Sequence, residues 1–171
     1  EKKNNFFEVY GQGGFFSDPH DKLDFGNSGT GVRLMTGLLS TSEVNATLVG
    51  DKSLSARPMN RIIKPLEKMN VTITHENGLL PIKISNNKTI HVPATHNLEI
   101  GSAQVKSAIL LAGMNVKGMT KIIENIPSRN HTEIMLKHLG ANLNVDNATL
   151  KIFDEEILTL DQGGNVKTYT T

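Results

Sequence analysis

The sequence contains no cysteine and no tryptophan. The first absence removes disulfides, zinc–thiolate sites and cysteine nucleophiles in one step. The second, with only 5% aromatic residues, argues against a surface that stacks single-stranded nucleic acid. Charge of one sign is also missing: 18 Lys and Arg stand against 17 Asp and Glu, a formal net charge of +1, with no block of like charge. Whole-molecule steering is therefore weak, and any anion site has to be local. No apolar run approaches the ~20 residues that cross a bilayer, and the opening EKKNNFFEVY lacks the apolar core of a secretion signal. The expectation is a cytoplasmic protein that binds neither membrane nor nucleic acid. His20, His75, His91, His96, His131 and His138 show no metal spacing such as H-E-x-x-H and read as surface or core residues. What is present is ordinary globular material: 171 residues, 37% hydrophobic, enough for one domain or two small subdomains.

The most informative stretch is Phe25 to Arg33, FGNSGTGVR. Gly26, Gly29 and Gly31 let the backbone turn tightly and approach a ligand. Asn27, Ser28 and Thr30 are helix-capping types, and Val32, Met35, Leu38 and Leu39 follow at helical spacing. The N–H groups and dipole of such a helix start, with Arg33 one turn in, make a seat for an anion. An ordinary capped helix satisfies the same nine residues. The string is neither G-x-G-x-x-G nor a phosphate loop, so it implies no nucleotide.

Along the chain, residues 1–10 read as a strand and 15–23 as a loop, followed by the helix to about Leu39. Val44 to Val49 alternates as a half-buried strand. SLSARPMNRIIKPLEKM reads as one helix, capped by Ser55, with Pro58 in its first turn. Val71–Thr74, Ile82–Ser85 and Thr89–Val92 read as three short strands, with turns at Asn77-Gly78 and Asn86-Asn87. The pattern then restarts: a helix from Ser102 to Gly113, a strand over Met119–Ile123, a capping-box helix from Asn130-x-x-Glu133 to Leu139, and a hairpin across Asp146-Asn147. Laying Met69–Thr74 on Leu139–Asn144 and Ser28 on Ser102 gives a period of roughly seventy residues. Each unit reads strand, helix, strand, helix, strand, strand. If the units pack about a pseudo-symmetry axis, the helix starts at Gly29 and Ser102 converge on one crevice. A duplicated cap serving folding alone is the simpler alternative.

Four further side chains suit an anionic, hydroxylated ligand. Arg57, at a helix mouth, carries a rigid fork that matches a carboxylate, although its charge opposes the helix dipole there. Gln104 supplies a donor and an acceptor one turn into the second helix. Ser128 and Arg129 repeat the hydroxyl-plus-guanidinium pairing, while Lys106 is read as reaching an anion or water.

FGNSGTGVRLMTGLL, GDKSLSARPMNRIIKPLEKM, GSAQVKSAILLAGMN and IPSRNHTEIMLKHLGA, in that order, resemble the 5-enolpyruvylshikimate-3-phosphate synthase (3-phosphoshikimate 1-carboxyvinyltransferase) family. The resemblance implies an α/β (α+β) fold of repeated βαβαββ units forming an inside-out α/β barrel of the enolpyruvyl transferase type, with helices buried at the centre. It divides the chain into the end of one unit (1–22), one full unit (23–92), a second unit (93–165) and a linker (166–171) toward a second domain. It implies transfer of the enolpyruvyl group from phosphoenolpyruvate to the 5-hydroxyl of shikimate-3-phosphate with release of phosphate, without metal or cofactor, in an enzyme expected to be a monomer. Phosphoenolpyruvate would meet Gly29, Arg57 and Gln104, and shikimate-3-phosphate would meet Ser102, Ala103, Gln104, Ser128 and Arg129. Thr30 and Arg33 would stand behind them as support. The family's acid/base groups are expected in its second domain, so no catalytic residue is assigned here and the chain alone is expected to be inactive or nearly so. The alternatives are an inert truncated domain that binds phospho-ligands weakly, the UDP-N-acetylglucosamine enolpyruvyl transferase, whose usual cysteine is lacking here, and an RNA-processing cyclase, disfavoured by neutral charge and scarce aromatics.

Overall fold

The computed structural model describes residues 2–3, 6–8, 10–11, 16–85, 88–146, 149–154, 159–160 and 166–167. It opens on β1 (Lys2–Lys3) and β2 (Phe6–Phe7), paired antiparallel with Lys2 opposite Phe7, so the expected single strand folds back on itself. There follow β3 (Leu23–Asp24), α1 (Gly29–Ser40), β4 (Ala46–Val49), α2 (Lys52–Ser55), α3 (Asn60–Glu67), β5 (Ile73–Glu76) and β6 (Leu79–Ile84). The second half holds β7 (Thr95–Leu98), α4 (Ala103–Gly113), β8 (Gly118–Glu124), α5 (His131–His138), β9 (Leu143–Asp146) and β10 (Thr149–Asp154). Finally β11 (Thr159–Leu160) pairs antiparallel with β12 (Val166–Lys167).

The two halves carry one topology. The first sheet runs β3-β4-β6-β5 and the second β7-β8-β10-β9. In each, the first pair is parallel, joined across a helix, and the other two pairs are antiparallel. Matching ladders set Leu48 opposite Ile82 and Ile122 opposite Leu150. Burial alternates along β6 and β8, as strands with one covered face require.

α4 is buried on nearly every side, from Val105 to Gly113 with only Leu111 half-exposed, which fits an AQVKSAILLAG sequence apolar around most of its circumference. α1 packs on it. A Cβ on Gly37 would sit inside the van der Waals envelope of the Ala108 carbonyl, so the two backbones touch with no side chain between them. Below that crossing, Thr41 Oγ1 donates to the Ala112 carbonyl at 3.0 Å; above it, Gln104 Nε2 donates to Thr30 Oγ1 at 2.7 Å. Contacts of 30 with 104, 37 with 108 and 41 with 112 require the helices to run the same way, with both N-termini at one end. α3 lies between the two cores: Ile63 joins Leu48, Leu54 and Ile82, while Ile62 and Leu66 join Ile109, Ile122 and Leu136.

Several expectations are corrected. The single helix from Ser55 becomes α2 and α3, because Pro58 disfavours helical backbone at Arg57 and removes a donor at the junction. The α2 cap is Asp51, whose Oδ1 accepts from Leu54 N at 2.7 Å. Thr89–Val92 joins no ladder and Ile90 is 83% exposed; the strand in that region is β7. Asn130 makes no side-chain cap bond to α5, and the Glu133 side chain turns inward to Lys106 rather than back to the Asn130 N–H. The Asn86-Asn87 turn, Asn147 and most of the last stretch lie outside the described residues.

Candidate functional site

At the start of α1, Gly26 takes a left-handed φ of 52° and its N–H is held by Asp24 Oδ1 at 2.9 Å. Ser28 is the N-cap, accepting from Gly31 N at 3.1 Å, and Gly29 N donates to the Asn27 carbonyl at 3.0 Å. These bonds occupy two of the tip amides that the sequence suggests for an anion, so positive charge at this tip comes chiefly from side chains. Arg33 Nη1 donates to the Gly29 carbonyl at 2.9 Å and Nη2 to the Pro58 carbonyl at 3.2 Å. Arg57 Nη2 donates to Asn27 Oδ1 at 2.5 Å and to Ser53 Oγ at 3.2 Å. All four acceptors are neutral, so these bonds aim the guanidiniums without pairing them, while the Asp51 carboxylate lies close enough for the Arg57 charge to act on it. Partial burial, reinforced by the charges of Arg57 and Arg61, lowers the Arg33 pKa from its ordinary value.

Asn27 is oriented from its other side, where Nδ2 donates to Asp51 Oδ2 at 2.7 Å. The backbone N–H of Leu54 and this amide hold the Asp51 carboxyl below its usual pKa. Gly29 is where space runs out: a Cβ there would lie 2.8 Å from Arg33 Nη1 and 3.2 Å from Arg57 Nη1.

At the neighbouring tip, Ser102 is the N-cap of α4, with a long bond of 3.5 Å from Val105 N. Gly101, Ser102, Ala103, Gln104, Ser128 and Arg129 line a cleft of about 450 Å³. A second cleft of about 260 Å³ shares Ala103, Gln104 and Arg129 with it and adds Thr30, Ser107 and His131. Five sequence-expected residues, Ser102, Ala103, Gln104, Ser128 and Arg129, therefore meet in one place, and Thr30 joins them through Gln104. Gly29, Arg33 and Arg57 form a separate cluster beginning one residue from Thr30, and line neither cleft.

Lys106 does not reach the cleft or water. It is 1% exposed, with Nζ 2.8 Å from Glu124 Oε2 and 2.6 Å from Glu133 Oε1. Sequence reasoning missed this cluster, and missed Asn27, Asp51 and Ser53 as the groups that orient Arg57. One signal was available for the first: a lone lysine within a helix apolar almost all round calls for buried counter-charges. Among the described residues, no group of three or more His, Cys, Asp and Glu is arranged to hold a metal ion.

The comparisons agree with this architecture. A family model described as EPSP synthase (3-phosphoshikimate 1-carboxyvinyltransferase) matches residues 1–159. The 3-phosphoshikimate 1-carboxyvinyltransferase of Parvibaculum lavamentivorans is 46% identical over 142 residues, covering 82% of this chain and 31% of that protein. The Leuconostoc citreum protein of the same name is 42% identical over 160 residues, covering 92% of this chain and 37% of its own length. Among solved structures, EPSP synthase from Acinetobacter baumannii superposes with a TM-score of 0.75 at 40% identity, over 79% of this chain and 31% of that one. This chain thus spans about a third of the relatives it matches. With the same fold, a model match over nearly its whole length and extensive identity, the chain belongs to the EPSP synthase family.

Proposed function

We propose that this chain forms one wall of a site that transfers the enolpyruvyl group of phosphoenolpyruvate to the 5-hydroxyl of shikimate-3-phosphate, releasing phosphate. The observation that carries the reading is the parallel placement of α1 and α4, which sets two helix tips side by side, tied by Gln104 to Thr30 at 2.7 Å, with arginines beside each. Both substrates are anions, and both tips present positive charge. Ser102, Ala103, Gln104, Ser128 and Arg129 hold the shikimate phosphate and ring. Gly29 and Arg57, with Gln104, hold phosphoenolpyruvate, and Arg33 and Thr30 keep them in place.

In the reaction, the ring hydroxyl adds to C2 of phosphoenolpyruvate and gives up its proton while C3 gains one. The tetrahedral intermediate then loses phosphate from C2 and a proton from C3, which restores the C2–C3 double bond and leaves the product as an enol ether. The wall described here supplies anion clamps that fix the two reactants at attack geometry. The family resemblance assigns the proton-transfer groups to a second domain, and the residues described here bind and orient the reactants.

Calorimetric titration of shikimate-3-phosphate into the chain tests the reading. A saturable heat is expected, weakened roughly ten- to a hundredfold by Arg129→Ala, since a hydrogen bond to a charged group contributes about 1.5–3 kcal/mol. Absence of saturable binding overturns it.

A further inference from the structure

An ammonium group in the middle of α4 has almost no water to solvate it, and Lys106 answers with all three of its N–H donors engaged on protein. The acceptors are Glu124 Oε2 at 2.8 Å, Glu133 Oε1 at 2.6 Å and the Ser128 carbonyl at 3.4 Å. They belong to three places in the fold: the end of β8, the first turn of α5 and the segment joining them. Glu124 is bonded on its other oxygen as well, where Oε1 accepts from the Ser128 hydroxyl at 2.6 Å. Ser128 is thereby held twice, through its carbonyl by Lys106 and through its hydroxyl by Glu124. The next residue, Arg129, lines both clefts.

Stability alone does not account for this set. Two carboxylates share one ammonium, and Glu133 Oε2 is buried without a partner. Apolar residues of equal volume often do as well as a buried ionic cluster, or better. What apolar residues cannot do is bond a carbonyl and a hydroxyl of the cleft-lining segment from underneath. A tetrahedral ammonium reaches three acceptors lying in three directions, which the planar guanidinium fork of arginine does not.

We propose that Lys106, Glu124 and Glu133 are positioning residues that fix the Ser128–Arg129 segment in the shape the cleft presents to a phosphorylated ligand. The inference rests on the reading of the site given above. None of the three touches the ligand; they act through Ser128 and Arg129.

The test uses a charge-free variant, Lys106→Met/Glu124→Gln/Glu133→Gln, and the single variant Glu124→Gln, in which Lys106 and Glu133 remain paired one to one. Backbone order parameters are read by NMR relaxation at Ser128 and Arg129, with the amides of α1 as the internal reference, and shikimate-3-phosphate is titrated by calorimetry. In the charge-free variant, the order parameters at Ser128 and Arg129 are expected to fall from about 0.85 to below about 0.6 with α1 unchanged, and affinity for shikimate-3-phosphate to fall about tenfold. The single variant is expected to show a smaller fall in order and about a threefold loss of affinity, and decides the matter alone if the charge-free variant does not fold. Wild-type order parameters at Ser128 and Arg129 in a folded variant overturn the proposal, as does a loss of order spread evenly over α4, β8 and α5, which marks a merely structural role. Should the wild-type chain show no saturable binding, the reading of the site falls, while the order parameters still decide whether the cluster positions the segment.

Discussion

The backbone of Gly29 lies outside the left-handed region, so alanine is allowed there by conformation, and its helix propensity is better by up to about 1 kcal/mol. The obstacle is the pair of guanidiniums that a Cβ would approach to 2.8 and 3.2 Å. Both are ends of flexible side chains that give way. Gly29→Ala is therefore expected to leave the melting temperature nearly unchanged while weakening phosphoenolpyruvate binding in the intact enzyme roughly tenfold, about 1.4 kcal/mol, a split read by calorimetry beside a thermal melt. His96 makes a different prediction. Its ring is 2% exposed on β7, Nε2 has no partner, and burial, aided by the charge of Lys68, pushes its pKa down to about 4 from an ordinary 6.5. Between those values the unfolded chain takes up a proton that the folded chain refuses, so stability is lost as pH falls from about 6.5 to about 4, with no further loss from this group below that. Melts across that window are expected to flatten in His96→Leu; an unchanged slope would show that some other group is responsible.

At the scale of helices and strands, the Gly37–Ala108 contact is the least forgiving point, because the atom in the way is a backbone carbonyl. Gly37→Ala is expected to cost about 1–3 kcal/mol or more, measured by denaturant unfolding, and to stretch the Thr30–Gln104 bond. That contact could not be read from the sequence, where Gly37 is one small residue in an amphipathic run. The helices it joins could: Ser28 and Ser102 are the caps they looked to be, and Asn77-Gly78 turns with φ of 52° and 72°, the left-handed pair that a two-residue hairpin needs. β7 was missed because THNL buries a histidine on its inward face, which no apolar alternation announces. Glu133 looked like half of a capping box, but the ammonium of Lys106, on another helix, holds it inward instead. Local rules see caps and turns; they do not see which buried partner competes for the same side chain.

For the molecule as a whole, the repeated topology was legible as a period, and the candidate site as two matching helix starts that converge only if the units pack about a pseudo-symmetry axis; that packing, which sets the direction of the helices, was not legible, since it depends on how the sheets meet. Like ends of two dipoles lie together there with arginines nearby, an arrangement that anions relieve. Inorganic phosphate is therefore expected to raise the melting temperature of the chain in a saturable manner. At one hundred times its dissociation constant the gain is about 2.7 kcal/mol, or roughly 5–10 °C at this size. Arg57→Ala should blunt the rise, and a rise of equal size with chloride at matched ionic strength would trace it to screening instead. The crossing of α1 over α4 has one more effect. Because peptide meets peptide there, without a rotamer in between, the gap between the two tips behaves like the opening of a calliper locked at its pivot. Warming can set the side chains around it rattling while the opening keeps its width.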